Sequence, residues 1–251
     1  MIKIENEALF KSKLVSGISI FAGSGFSVLP SPSGVTLPTG SELSSEVIKK
    51  FKLPEMSSND GLDYVSEFCA ENEYQRFLRE KFTVNDYNPL YDKLNNISLK
   101  SFVTTNIDNI IQLVADNSHR YYIKNIRKEG ACSNRPSELV YIPLHGDVLD
   151  DSSRLYFGKF ELSRVRDDNS DLFDAMCGYL ATAPILFWGY SFNDGGVLSV
   201  VAKLIEKNHN DIWIQVLHGD NKSKRLYQAK GCNIIEADTK ELLEWIGQNC
   251  A

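Results

Sequence analysis

Four short segments of the 251-residue chain combine residue types capable of chemistry: FAGSGFS (21–27), TTNID (104–108), LHGD (144–147) and GYSFND (189–194). In the first, Gly23 and Gly25 permit a tight turn and close backbone approach to phosphate oxygens, while Ser24 and Ser27 add hydroxyl donors. In the second, Asn106 offers an amide that can orient a water or a sugar hydroxyl, and Asp108 a carboxylate two residues on. In the third, His145 precedes a glycine, and an imidazole neutral near pH 7 can accept a proton from a hydroxyl. In the fourth, Gly189 and Ser191 can meet a phosphate, while Asn193 or Asp194 can cap a following helix.

Each segment taken alone also has a purely structural account. A Gly-rich stretch is the usual solution to a strand–helix turn, and a G-x-G-x-x-G fingerprint would need a glycine where the chain has Val28. An amide at a strand end can cap a helix, and Asp108 in a first turn suits the helix dipole. A lone histidine is more often structural than catalytic.

The elements that must carry these segments are legible in the hydrophobic pattern. Short apolar runs bounded by turn residues recur at 17–23, 101–105, 120–124, 139–146, 184–190, 212–218 and 232–237. Such continuous runs are expected of strands covered on both faces. Helical stripes fall between most of them: Leu43, Val47 and Phe51; Ile107, Ile110, Ile111 and Val114; Val197, Val200, Val201 and Leu204. A last helix follows an Asp238 or Thr239 cap. This alternation predicts an α/β fold with a doubly wound, mostly parallel sheet of Rossmann-like type. Residues 40–100 carry helical signals and no convincing strand. The expected organisation is therefore a single domain over 1–251, with a Rossmann-like core from 1–39 and 101–251 and an inserted helical module at 40–100. In such sheets ligands bind beyond the carboxyl ends of the strands, where all four segments fall.

Composition excludes several classes. A net charge of −6 argues against a general nucleic-acid binder. No apolar run approaches the roughly 20 residues of a membrane span, and the N-terminus lacks the form of a secretory signal. Five scattered cysteines without a C-x-x-C pair fit neither a disulfide framework nor a four-cysteine zinc site. A reduced, cytoplasmic protein is expected.

In their order, GSGFS, TTNID, LHGD and GYSFND resemble the NAD-binding core of the sirtuin family, from about Gly17 to the last helix. The resemblance implies a dinucleotide site whose ligand-binding residues are Ala22, Gly23, Ser24, Gly25, Ser27, Thr104, Thr105, Gly189, Ser191 and Phe192. It implies catalytic roles for Asn106, His145 and Asp108, with Asp108 near the nicotinamide carboxamide. Two departures narrow it. The segment SVLPSPSGVTLPTG (27–40) lacks the Asp and Arg that deacylating sirtuins carry after the Gly-rich turn, while SPSGVTLPTGSEL (31–43) looks like a flexible loop leading to a helix, a lid over the ligand. Between His145 and Gly189 stands only Cys177, so the family's zinc module is missing and no zinc is expected. The chain is more similar to the zinc-free sirtuin-like domains of bacterial anti-phage systems, which degrade NAD.

That resemblance implies an NAD+ glycohydrolase giving nicotinamide and ADP-ribose, with NAD+ as substrate and no further cofactor. Because unrestrained NAD loss kills a cell, a homo-oligomer or a separate sensor protein is expected to hold the enzyme off. Two other classes stay open on sequence: a module that senses NAD or an ADP-ribose derivative without cleaving it, and an NAD-dependent protein deacylase or ADP-ribosyltransferase. His218 and Asp220, at another strand end, belong either to a solvated loop or to the adenosine side of the site.

Overall fold

The computed structural model describes residues 1–54, 61–68, 71–130, 137–192, 195–208 and 211–250. Cys69, Cys132, Asn193 and Asp194, all considered above, lie outside them. Among the described residues the chain runs β1 (Lys3–Ile4), α1 (Glu7–Ser16), β2 (Ile18–Ala22), a 3₁₀ turn at Ser24–Phe26, then α2 (Gly40–Lys50), α3 (Gly61–Phe68) and α4 (Glu71–Phe82). A 3₁₀ stretch (Pro89–Asn96) leads to β3 (Leu99–Thr104), α5 (Ile110–Ser118), β4 (Tyr122–Asn125), α6 (Ile126–Glu129) and β5 (Glu138–Pro143). The remainder alternates α7 (Lys159–Asp168), α8 (Ser170–Leu180), β6 (Ile185–Trp188), α9 (Gly195–Asn208), β7 (Ile212–Val216), α10 (Asn221–Ala229), β8 (Asn233–Glu236) and α11 (Thr239–Asn249).

The strands form one sheet in the order β1-β8-β7-β6-β2-β3-β5-β4. All pairings are parallel except that of β1 with β8. This is the doubly wound α/β sheet expected from the sequence, with every anticipated strand in place. Only β1, two residues of antiparallel edge, gave no apolar run to read. From β2 the chain builds outward through β3 on one side and β6 on the other. The gap between β2 and β6 is thus a topological switch point, where the following loops diverge and leave a crevice.

Alternation along each strand divides the core into two layers. Ile20, Phe102, Leu186 and Trp188 face α1, α11 and the 3₁₀ stretch. Phe21, Val103, Phe187 and Ile214 face α7, α8 and α9, where Val197, Val200, Val201 and Leu204 form the anticipated stripe. A third cluster joins α2, α3 and α4 through Leu43, Val47, Val65, Tyr74 and Leu78, and it also takes in Ile107, Val148 and Leu155. The helices between β2 and β3 therefore rest on the segments that follow β3 and β5. The helical stripe starting at Ile107 is corrected here: α5 begins at Ile110, and Ile107 belongs to the preceding turn. Asp238 is the cap of α11, in a reciprocal box with Glu241.

Phe26 anchors the first glycine turn to this frame. Its ring lies 5.2 Å from those of Tyr91 and Phe102 and 5.4 Å from that of Trp188, and the Tyr91 hydroxyl donates to its carbonyl. Phe26→Ala removes a fully packed ring and is expected to lower stability by about 3–5 kcal/mol in denaturant unfolding. A loss under about 1 kcal/mol would mean the turn is held by something else.

Candidate active site

The two glycine turns hold each other. Gly23 N–H donates to the Trp188 carbonyl at 3.0 Å and Gly25 N–H to the Gly189 carbonyl at 2.9 Å. A Cβ on Gly23 would lie 2.7 Å from Gly189 O, and one on Gly25 would lie 2.8 Å from Gly189 Cα. Gly189 has φ +62°, and its own Cβ would come within 2.2 Å of the Gly25–Phe26 backbone. These three glycines are therefore required by the approach of one backbone to another. The Thr239 hydroxyl, at the start of α11, donates to Gly25 O at 2.6 Å. Gln215 of β7 accepts from Gly189 N–H at 2.9 Å.

Beside this lock stands a directional hydrogen-bond chain. Asn106 Nδ2 donates to Gly23 O at 3.0 Å and to Ser27 Oγ at 2.9 Å. Ser27 Oγ donates its single proton to Asp108 Oδ2 at 2.8 Å, and Asp108 Oδ1 accepts from Ile110 N–H at 3.2 Å. Thr104 Oγ1 accepts from Asn106 N–H at 2.8 Å, and Thr105 N–H returns to Ala22 O at 3.1 Å. Asn106 is thus no helix cap. With both amide protons engaged, its Oδ1 is the acceptor left to a ligand. Asp108 is only 6% exposed; burial raises its pKa above the ordinary carboxylate value, opposed by its hydrogen bonds from Ser27 and Ile110.

A cleft of about 330 Å³ opens over these groups. Gly23, Ser24, Gly25, Ser27, Thr105, Asn106, Asp108 and Ser191 line it, together with Leu37, Pro38, Leu43, Phe82, Phe157 and Tyr190. A second cleft, of about 540 Å³, shares Ser24, Gly25, Val28, Tyr190 and Ser191 with the first. It continues past Gly189 to Gln215, Asp220, Tyr227, Asp238 and Thr239 beyond β7. The structure thus gathers most of the residues singled out from sequence around one elongated crevice. Ala22 and Thr104 end the strands behind it. Phe192, with φ +57°, packs on Phe187, Tyr190 and Tyr227 rather than lining a cleft.

His145 is buried and lines neither cleft. It follows β5, whose Pro143 is level with Thr104, and Leu144 N–H donates to Thr104 O at 2.8 Å. Counting on from that register brings Asn106 and His145 onto neighbouring segments. Asp220 caps α10 through Ser223 N–H at 3.0 Å and faces the second cleft. His218, part-exposed, instead meets Glu241. The apolar wall from Leu37, Phe82 and Phe157 escaped the sequence, because its members come from three distant segments. Loop 28–39 forms part of that wall, tied by Ser33 to Asp86 and by Asn88 to Pro30 O. Among the described residues no group of three or more His, Cys, Asp or Glu is placed to hold a metal. None of the described helices is long and apolar enough to cross a membrane.

A doubly wound sheet with a crevice at its switch point defines the class of α/β fold in which ligands bind beyond the strand ends. Residues 100–235, more than half of the chain, match the SIR2-like domain family, and the chain belongs to that family. It is 24% identical over 212 residues to the NAD(+) hydrolase ThsA of Acinetobacter baumannii (strain 532279), covering 80% of this chain and 42% of that protein. It is 23% identical to the NAD(+) hydrolase ThsA of Enterococcus faecium, again over 42% of that protein and 81% of this one. The chain therefore spans about two-fifths of the length of these curated relatives. Among solved structures, a Sir2 enzyme matches with a TM-score of 0.51, covering 97% of this chain and 95% of its own. A mutant Sir2 homologue in complex with ADP-ribose matches with a TM-score of 0.53, covering 98% and 96%. At 13% identity both likenesses concern the fold.

Because its pKa is raised, folded Asp108 holds a proton to higher pH than it does in the unfolded chain. Its contribution to stability is therefore greatest below about pH 4 and falls as pH rises through the elevated value. Asp108→Asn removes that titration. The melting temperature of this variant minus that of the wild type should become more positive from pH 4 to pH 7. A difference flat across that interval would show that burial does not govern this carboxylate.

Proposed function

We propose that the chain is an NAD+ glycohydrolase that breaks the bond between nicotinamide and ribose to give nicotinamide and ADP-ribose. The observation that carries this reading is the fixed amide of Asn106, presenting Oδ1 at the crevice beside two interlocked glycine turns. The shape of the crevice supports a dinucleotide. Its two arms meet at Ser24, Gly25 and Ser191, and a pyrophosphate there would leave one nucleoside in each arm. The names of the curated relatives, both NAD(+) hydrolases, point the same way.

The chemistry asks little of general acids. As the C–N bond breaks, its electron pair goes to the ring nitrogen and nicotinamide leaves neutral, while positive charge develops on the ribose. Water then bonds to the anomeric carbon and gives up a proton. What accelerates this is a rigid hold on the sugar and an acceptor near the developing charge. Asn106 Oδ1 fills that place and can orient the water or a ribose hydroxyl. The released proton is assigned to His145, which follows the neighbouring strand end although it lines neither cleft. With both Asp108 oxygens already accepting bonds, its first role is to fix Ser27; the carboxamide contact is secondary. The similarity to zinc-free sirtuin-like domains supports an anti-phage role in which NAD loss halts infection. A cytoplasmic protein held in check by self-assembly or by a separate sensor fits that role.

Purified protein incubated with NAD+ and resolved by chromatography should release nicotinamide and ADP-ribose. Asn106→Ala and His145→Ala should each lower turnover by about 10²–10⁴-fold, with the fold intact by circular dichroism. If both variants turn over like the wild type, the assigned site is wrong. Calorimetric binding of NAD+ without nicotinamide release would favour a sensing module instead.

A further inference from the structure

The carboxylate of LHGD is buried and held by three donors, and the chemistry above does not use it. Asp147 is 1% exposed. Its Oδ1 accepts from Gln112 Nε2 at 3.1 Å and from Leu149 N–H at 2.9 Å, and its Oδ2 accepts from Asn125 Nδ2 at 2.8 Å. Two of these donors cannot be reversed. Leu149 donates from its backbone, and Asn125 is fixed because its Oδ1 accepts from Arg127 N–H at 3.0 Å as the cap of α6. An amide at position 147 would therefore always turn an NH₂ group toward a donor. Only a carboxylate satisfies all three.

The same turn is held from outside by two arginines. Arg127 donates to Pro143 O at 2.9 Å and to Leu144 O at 3.1 Å, just before His145. Arg79, on α4, donates to Asp147 O and Val148 O, both at 3.1 Å. Gly146 has φ +104°, and a Cβ there would lie 2.4 Å from Arg154 O. Side chains from α4, α5, β4 and α6 thus converge on residues 143–148, the stretch that contains His145, although none of them lines the crevice over Asn106.

We propose that Asp147 is a positioning residue, whose carboxylate sets the His145 turn against the Asn106 strand end, and that Arg79 ties this turn to the helices between β2 and β3. This rests on the NAD-cleaving reading. A misplacement of about 1 Å at a reacting group is worth roughly a hundredfold in rate, so a distorted turn would lower kcat while leaving substrate binding largely intact.

The test is a transfer of charge between two residues already in contact. Asp147→Asn should lower kcat for NAD+ cleavage by about 10–100-fold with KM nearly unchanged, and should lower the melting temperature. Adding Asn125→Asp restores every bond. The carboxylate moved to position 125 accepts from Arg127 N–H and from the amide at 147, whose oxygen keeps Gln112 and Leu149. The double variant should recover both kcat and melting temperature. Gln112→Met, which removes one donor, is a gentler second probe and should reduce kcat about threefold at constant KM. If Asp147→Asn melts earlier but keeps wild-type kcat, Asp147 serves the fold alone and the inference fails. If the double variant regains stability without activity, Asp147 acts in the chemistry itself and the inference fails differently. A wild type inert toward NAD+ would overturn the functional reading together with this one.

Discussion

One hydroxyl proton governs the arrangement of the site. Ser27 has a single hydrogen to give, and Asp108 takes it. The oxygen of Ser27 must then face Asn106 as an acceptor, so the asparagine turns its NH₂ inward and its carbonyl oxygen toward the crevice. A free asparagine amide rotates between two nearly equal orientations, and only this chain of donors and acceptors distinguishes them. Gly23 O reinforces the choice, because a backbone carbonyl can only accept. Removing the carboxylate would release the hydroxyl proton to point elsewhere, and the polarity of the amide would no longer be fixed. Burial of Asp108 is the cost of that control, since desolvation disfavours the ion that anchors the sequence of bonds.

The parts of this arrangement differ in how well they could be read from the residues alone. The interior strands were legible because a strand covered on both faces must be mostly apolar, as β2 (ISIFA) and β6 (ILFW) are. The lone antiparallel edge, Lys3–Ile4, had no such signature. TTNID could be placed at a strand end, but not the helix start after it. There Thr104 and Asp108 bond backbone N–H groups of residues 106 and 110 and hold the chain in a turn where apolar spacing implied helix. The role of Ser27 was hidden, since its partner is 81 positions away. The glycines were legible as a turn but not for their reason. Their missing side chains admit another backbone, and that constraint exists only after β2 and β6 have paired.

The helices between β2 and β3 are more than an appendage of the sheet. Their cluster includes Ile107, next to Asn106, and Val148, three residues beyond His145. Arg79 adds polar bonds to the same turn. Two segments that emerge from adjacent strands are therefore braced against a common third body. Loops that leave a sheet usually gain their order from such outside support. Here the support also supplies Leu43 and Phe82 to the crevice wall, so the shape of the ligand cleft and the position of its polar groups depend on one packing unit.

Sheet topology explains how residues so distant along the chain converge. β2 lies between β3 and β6, and neighbouring strands in a sheet are separated by about 4.8 Å. Once the register of Ala22 with Thr104 and Trp188 is set, the three loops that follow must emerge side by side. None of the three enters a long helix at once. Each first forms a turn that is bonded to a neighbouring strand end. Those cross-links, from Gly25 to Gly189 and from Asn106 to Gly23, align three separate strand ends into one surface. The sheet provides proximity, and the side-chain and backbone bonds at its edge provide orientation. A rigid crevice needs both, because strands alone would leave loops free to splay apart, and polar groups without a fixed register would have no constant partners.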